Sequence, residues 1–171
     1  FLSLLFAAVV GVLLGVLAAR SRSRRSLGII LATLIGISVP SFWLGTVIVV
    51  FPSIWWGYSP PLTLTPFFDD PLGNLKQFII PAVVLGMALS GVTMRMTRTM
   101  MLEVLRQDYI RTAWSKGLRE KVVILRHALK NALIPIVTVV GIQVPFVLGG
   151  SVIIEEIFVL PGMGRLLVKS F

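Results

Sequence analysis

A chain of 171 residues that is 56% hydrophobic and 13% charged, with mean hydropathy +0.95, has too little polar surface to cover a water-soluble globule. Its formal charge of +9 would suit a nucleic-acid binder, but the basic residues lie in short links between apolar runs, so no nucleic-acid partner is expected. Zero cysteines exclude disulfide frameworks and cysteine-ligated metals, and the single His127 argues against a histidine-cluster metal site or a Ser-His triad. No metal, cofactor or catalytic residue is therefore expected.

Four membrane spans are predicted in chain order, giving an all-α, polytopic helical protein in a lipid bilayer. A bilayer core takes roughly 20 apolar residues of helix. Residues 1–19 meet that without a charge, and a signal peptide would carry its charges before the apolar region rather than after it. Gly11 and Gly15 in this run permit close helix approach. Residues 27–50 carry Pro40 near the middle, which marks either a kink or hinge or a place of static packing. Residues 78–94 open with Pro81 in the first turn, where a missing N–H costs little. Residues 132–154 contain Pro145 and Gln143. Gln143 either lines a solute path or hydrogen-bonds to another helix.

Charge orients these runs. The links 20–26 and 95–131 together hold thirteen basic residues against three acids, whereas the other side holds three basic residues against four acids. Positive-inside reasoning puts both basic links in the cytoplasm. The outer loop, about 51–77, fits that orientation. Trp55, Trp56 and Tyr58 suit an interfacial belt, with a ligand cage as the alternative, and Pro60, Pro61, Pro66 and Pro71 keep the segment irregular.

Within the link 95–131, Asp108 suits an N-cap and Gly117 a left-handed C′ position, predicting a two-turn helix over 109–116. Ile110, Ala113 and Trp114 share one side of it, and Leu118 continues the row. A second helix runs from about Arg119 through His127 and Asn131 into the fourth span. A short amphipathic helix of this kind either docks into a groove on another protein or lies on anionic headgroups.

The run DYIRTAWSKGL at 108–118, followed by LRHALKNALIP at 125–135, resembles the cytoplasmic EAA loop of permeases from ATP-binding-cassette (ABC) importers, and is especially similar to the dipeptide/oligopeptide branch. SVPSFWLG at 38–45, LGGSVIIEEIF at 148–158 and LPGMGRLLV at 160–168 agree in order and spacing, so the resemblance covers nearly the whole chain. It points to the first permease of the usual pair.

The resemblance implies a type I importer permease (MetI-like) fold in a bacterial or archaeal plasma (inner) membrane. It also implies four kinds of partner contact: a second permease, two cytoplasmic ATPase subunits, an external solute-binding protein and the bilayer. Tyr109, Arg111, Thr112, Ala113, Lys116, Gly117 and Leu118 match the family's ATPase-coupling helix. Asp108, Arg126, His127 and Asn131 would brace the loop. Pro40, Gln143 and Pro161 are candidates for the solute path or a gate, with 155–171 an outer re-entrant segment. Arg111-Thr112-Ala113 stands where the broader superfamily has Glu-Ala-Ala, Trp114 is bulkier than expected, and Glu155-Glu156 is more acidic. The family would add a span before this stretch and another after it.

No G-x-x-x-x-G-K-[ST] run is present, so nucleotide chemistry is expected in a partner rather than here. A secondary transporter would need midplane Asp, Glu or Lys for its coupling ions, and the four runs have none. A membrane-embedded enzyme lacks a carboxylate pair or nucleophile–base set, and a four-span scaffold leaves the helical loop unexplained.

Overall fold

The structure is a computed structural model that describes residues 1–20, 24–57 and 63–170. Among the described residues every regular element is helical. The chain runs α1 (Leu2–Arg20), α2 (Arg24–Ser38), α3 (Ser41–Trp56), α4 (Pro71–Val104), α5 (Asp108–Ser115), α6 (Glu120–Val122), a π-helical segment (Val123–Leu129), α7 (Lys130–Ile157) and α8 (Met163–Lys169). Three helical stretches are long and apolar enough to cross a membrane, or four if the bent pair α2–α3 counts as one crossing.

The packing axis is α1 against α4, and small residues create it. Ser3, Ala7, Gly11 and Gly15 recur every fourth position and are buried, while Leu5, Val9, Leu13 and Leu17 are exposed on the opposite face. That spacing puts each set on one side of a helix. A Cβ on Gly11 would come within 2.6 Å of Thr93 Cβ, and one on Gly15 within 2.8 Å of the Met94 carbonyl. Apolar lipid offers no driving force for helix association, so close van der Waals approach along such a seam supplies it. Ser90, Thr93 and Thr97 sit at this seam, and each bonds its hydroxyl to a carbonyl of its own helix.

Two sequence expectations change. The stretch 27–50 forms two helices bent by 83° rather than one continuous helix. Pro40 takes an extended conformation, φ −61° and ψ 133°, as the N-cap of α3. Its ring disfavours helix in the residue before it, so α2 ends and α3 restarts in a new direction. Pro40 is a corner, not a static packing element within a straight helix. The helix over 78–94 is also longer, since α4 has 34 residues. Pro81 lies in its interior rather than its first turn. The true start is Asp70–Pro71, where Asp70 accepts a hydrogen bond from the Gly73 amide at 2.9 Å. At 1.5 Å per residue α4 extends about 50 Å, well beyond a hydrocarbon core of roughly 30 Å.

Beyond α3 the loop residues 63–70 are tied back to α4. Asn74 donates to the Thr65 carbonyl at 2.7 Å, and the Gln77 amide bonds Thr63 and Thr65. Trp55 and Trp56 are exposed; Tyr58, Pro60 and Pro61 lie outside the described residues, as do Arg22 and Phe171. At the far end α7 passes through Pro135 and Pro145 and closes in a Schellman turn: the Leu160 amide donates to the Glu155 carbonyl at 2.8 Å, and Val159 to Glu156 at 3.3 Å. Val159 stands at the left-handed C′ position with φ 56°, which costs a β-branched residue about 1–2 kcal/mol. Val159→Gly is expected to raise the Tm of the full-length protein by about 3 °C. A thermal unfolding curve that does not move, or moves down, would show the turn is unstrained. After the turn, the Glu155 carboxylate accepts from the Arg165 amide at 3.1 Å and Glu156 pairs with the Arg165 guanidinium at 3.7 Å, folding α8 back on α7. The acidic doublet thus fastens α8.

Candidate functional site: a helix on the basic face

The basic end of the bundle carries α5 on a buried seat. Ile110 and Ala113 enter a cluster with Ala19 of α1, Met101 of α4, Val123, Ile124 and Ala128 of the π segment, and Ala132 and Ile136 of α7. Ile110 is fully buried. Trp114 and Leu118, assigned to the same side from spacing alone, remain 44% and 39% exposed, as does Tyr109 at 44%. The helix therefore presents Trp114 and Leu118 as an outward apolar edge beside exposed Arg111, with Tyr109 on the opposite flank of the buried face and Thr112 and Lys116 exposed.

Its ends are set locally. Gln107, not Asp108, is the N-cap residue, and it makes no side-chain cap bond. Asp108 is the first helical residue; its carboxylate faces Arg111 at 3.5 Å, and its charge suits the positive end of the helix dipole. At the other end Gly117 has φ 73°. That left-handed turn lets the Leu118 amide reach the Ala113 carbonyl at 3.3 Å and the Gly117 amide reach Trp114 at 2.9 Å, a complete Schellman motif. The turn aims Leu118 outward.

Two long-range ties hold α5 and α6 to the bundle. Asn131 donates to the Tyr109 hydroxyl at 2.9 Å and to the His127 carbonyl at 3.0 Å, joining α5 to the foot of α7. Arg20, the last residue of α1, meets the Glu120 carboxylate at 3.1 and 3.4 Å. Of the four residues expected to brace the loop, Asn131 bridges to α5, His127 contributes its backbone, Asp108 pairs within α5, and Arg126 is exposed. The Arg20–Glu120 pair escaped sequence reasoning. Its partners are 100 residues apart, and opposite charges in two links carry no mark of proximity.

Pro40, Gln143 and Pro161 do not come together. Pro40 makes the α2–α3 corner. Gln143, 5% exposed, donates to Thr93 Oγ1 at 3.2 Å and to the Leu89 carbonyl at 3.4 Å, so it forms an interhelical bond between α7 and α4. Its Oε1 is buried without a partner. Gln143→Leu removes that orphan while Thr93 keeps its bond to Leu89, so stability is expected to stay within about 1 kcal/mol of the parent. Urea unfolding in detergent measures it, and a loss beyond that figure would mean the amide bond dominates. Pro161 lines a cavity of about 280 Å3 between α3, α4 and the turn after α7, with Pro52, Lys76, Gln77 and Phe158 among its walls.

Residues 11–171 match the family described as the binding-protein-dependent transport system inner membrane component. The chain belongs to that family. Its helical architecture is the family's all-α, MetI-like fold. Among curated proteins, one from Brucella suis biovar 1 whose name assigns it to a peptide transport system as a permease is 48% identical over 94% of this chain and 52% of its own length. The oligopeptide transport system permease protein AppB of Bacillus subtilis is 40% identical over 98% of this chain and 54% of its own. The di/tripeptide transport system permease protein DppB of Pseudomonas aeruginosa is 40% identical, over 98% and 56%. The chain spans about half the length of the curated relatives it matches. Within this transport family the several apolar helices make it a multi-pass membrane protein.

Proposed function

We propose that this chain is the core of one permease subunit of an ATP-driven ABC importer, with α5 as the element that docks a cytoplasmic ATPase. The supporting observation is the division of α5: Ile110 and Ala113 anchor it in the bundle while Trp114 and Leu118 stay exposed beside Arg111 and Lys116. An apolar edge rimmed by cations on a rigid base suits a groove on a protein partner. The basic end then faces the cytoplasm of a bacterial or archaeal cell, and the α8 end faces outward.

The assembly comprises a second permease, two ATPase subunits and an external solute-binding protein. ATP binding draws the ATPases together, and the docked helices move with them because the docked states of the two conformations differ in free energy. Hydrolysis takes place in the ATPases, not in this subunit. The spans are about 1–19, 27–56 with its corner at Pro40, 71–94 and 132–154, with the outer re-entrant segment following. Relatives are named for peptides, oligopeptides and glutathione, and small peptides or similar solutes are the proposed cargo. The test is ATPase co-purification with the full-length complex. Trp114→Glu is expected to abolish it at unchanged permease yield. Retention of the ATPases at parental stoichiometry would assign the exposed edge to the lipid surface instead.

A further inference from the structure

The seven residues Val123–Leu129 form a π-helix, with amides bonded five residues back, between α6 and α7. Such turns are rare and concentrate at functional sites. Here the π turn corrects a phase error. Ile124 and Ile136 are both buried in the cluster beneath α5, yet twelve residues of α-helix would set them about 120° apart. A π turn holds roughly one residue more than an α turn, which returns Ile124 to the side of Ile136. The segment therefore carries about one residue in excess.

The alternative register is also apolar. Rewound as α-helix, the segment would place Leu125, eleven residues from Ile136, within about 20° of it. Leu125 is now 57% exposed, and Val123, now fully buried, would turn outward. Val122-Val123-Ile124-Leu125 thus fills the same inward slot with an apolar side chain in either register. The neighbouring links tolerate the turn. Gly117 has open space around it, and the Arg20–Glu120 pair is about half exposed, so little opposes its separation.

We infer that Val123–Leu129 is a register switch beneath the docking helix, converting between π and α winding and exchanging Val123 for Leu125 in the core as the docked partner moves. The inference rests on the docking reading above. Winding and rotation convert displacement of α5 into a turn about the α7 axis.

These 171 residues contain no cysteine, and once any cysteine elsewhere in the complex is replaced by serine, single-cysteine variants report on this segment. In the full-length complex with its ATPases, Val123→Cys and Leu125→Cys are labelled with a fluorescent maleimide, without nucleotide and with ATP trapped before hydrolysis. The Val123→Cys variant should react at least about fivefold faster in the trapped state, and the Leu125→Cys variant about fivefold slower. Unchanged rates at both positions overturn the switch. If Val123→Cys fails to assemble, Leu125→Cys at its exposed position decides alone. Deleting Leu125 removes the excess residue and keeps the helix phase, so ATPases should still co-purify while transport per ATP falls about tenfold. Full transport by the deletion variant also overturns the switch. A parental complex without ATPase overturns the docking reading and this inference with it.

Discussion

Gly15→Leu is expected to be the most damaging single substitution in the bundle, destabilising it by at least about 3 kcal/mol. Even a Cβ at Gly15 meets the Met94 carbonyl at 2.8 Å and the Thr97 side chain, and Met94 and Thr97 are themselves buried on α4. Backbone cannot step aside as a flexible side-chain end can, so α1 must lift away along its length. That separation also strips contacts at Gly11 and Ser3, because all three lie on one seam. Gly28→Ala is the control: nothing lies within 4 Å of its position in α2, and alanine there should stabilise by about 0.5–1 kcal/mol. Thermal unfolding of the full-length protein in detergent compares them. Equal midpoints for the two variants would show that the α1–α4 seam is not close-packed.

Trp114→Ala is expected to weaken ATPase association about 30-fold, roughly 2 kcal/mol, with the permease as stable as before. Trp114 is 44% exposed and outside the buried cluster, so its loss should register in binding alone. Ala113→Glu should lower both quantities. Ala113 is 6% exposed, and a carboxylate there must either stay charged among Ile110, Val123 and Ile124 or push α5 off its seat. Gly117→Pro belongs with Ala113→Glu, since a proline at φ 73° is incompatible with its ring and breaks the Schellman turn. Titrating the purified ATPase against each variant in nanodiscs, alongside a melting curve, separates the effects. A Trp114→Ala variant that binds as the parent does would move the contact elsewhere on the loop.

What sequence order made legible was whatever depends on composition and near neighbours. Apolar length gave the membrane class, and the i, i+4 glycines marked the seam that α4 fills. The αL turn at Gly117 was visible because glycine there is followed by an apolar residue that needs the Schellman geometry. The same motif at Val159 was not visible, since valine is the wrong residue for it and only the fold of the α8 end over-determines it.

Helix limits were less legible. Asp108 and Gln107 are both plausible first residues, and Pro81 looks like a helix start until Asp70–Pro71 provides a better one. Trp114 shows the same limit on one helix face: its spacing put it on the side of Ile110 and Ala113, but those two fill the seat beneath α5 and Trp114 stays exposed.

By itself, then, the order of residues determined the all-helical membrane class, the family and the existence of a structured basic loop. These follow from lipid's inability to solvate backbone amides and from periodicity along single helices. Tertiary structure alone decided the 83° turn at Pro40, the face α5 shows outward, the Arg20–Glu120 and Tyr109–Asn131 ties and the π turn at Val123–Leu129. Apart from the corner at Pro40, each is an agreement between separate segments of the chain. A proline permits a corner but gives it no angle, and a helix with one residue too many has no error to correct until a neighbour demands that Ile124 and Ile136 face the same way.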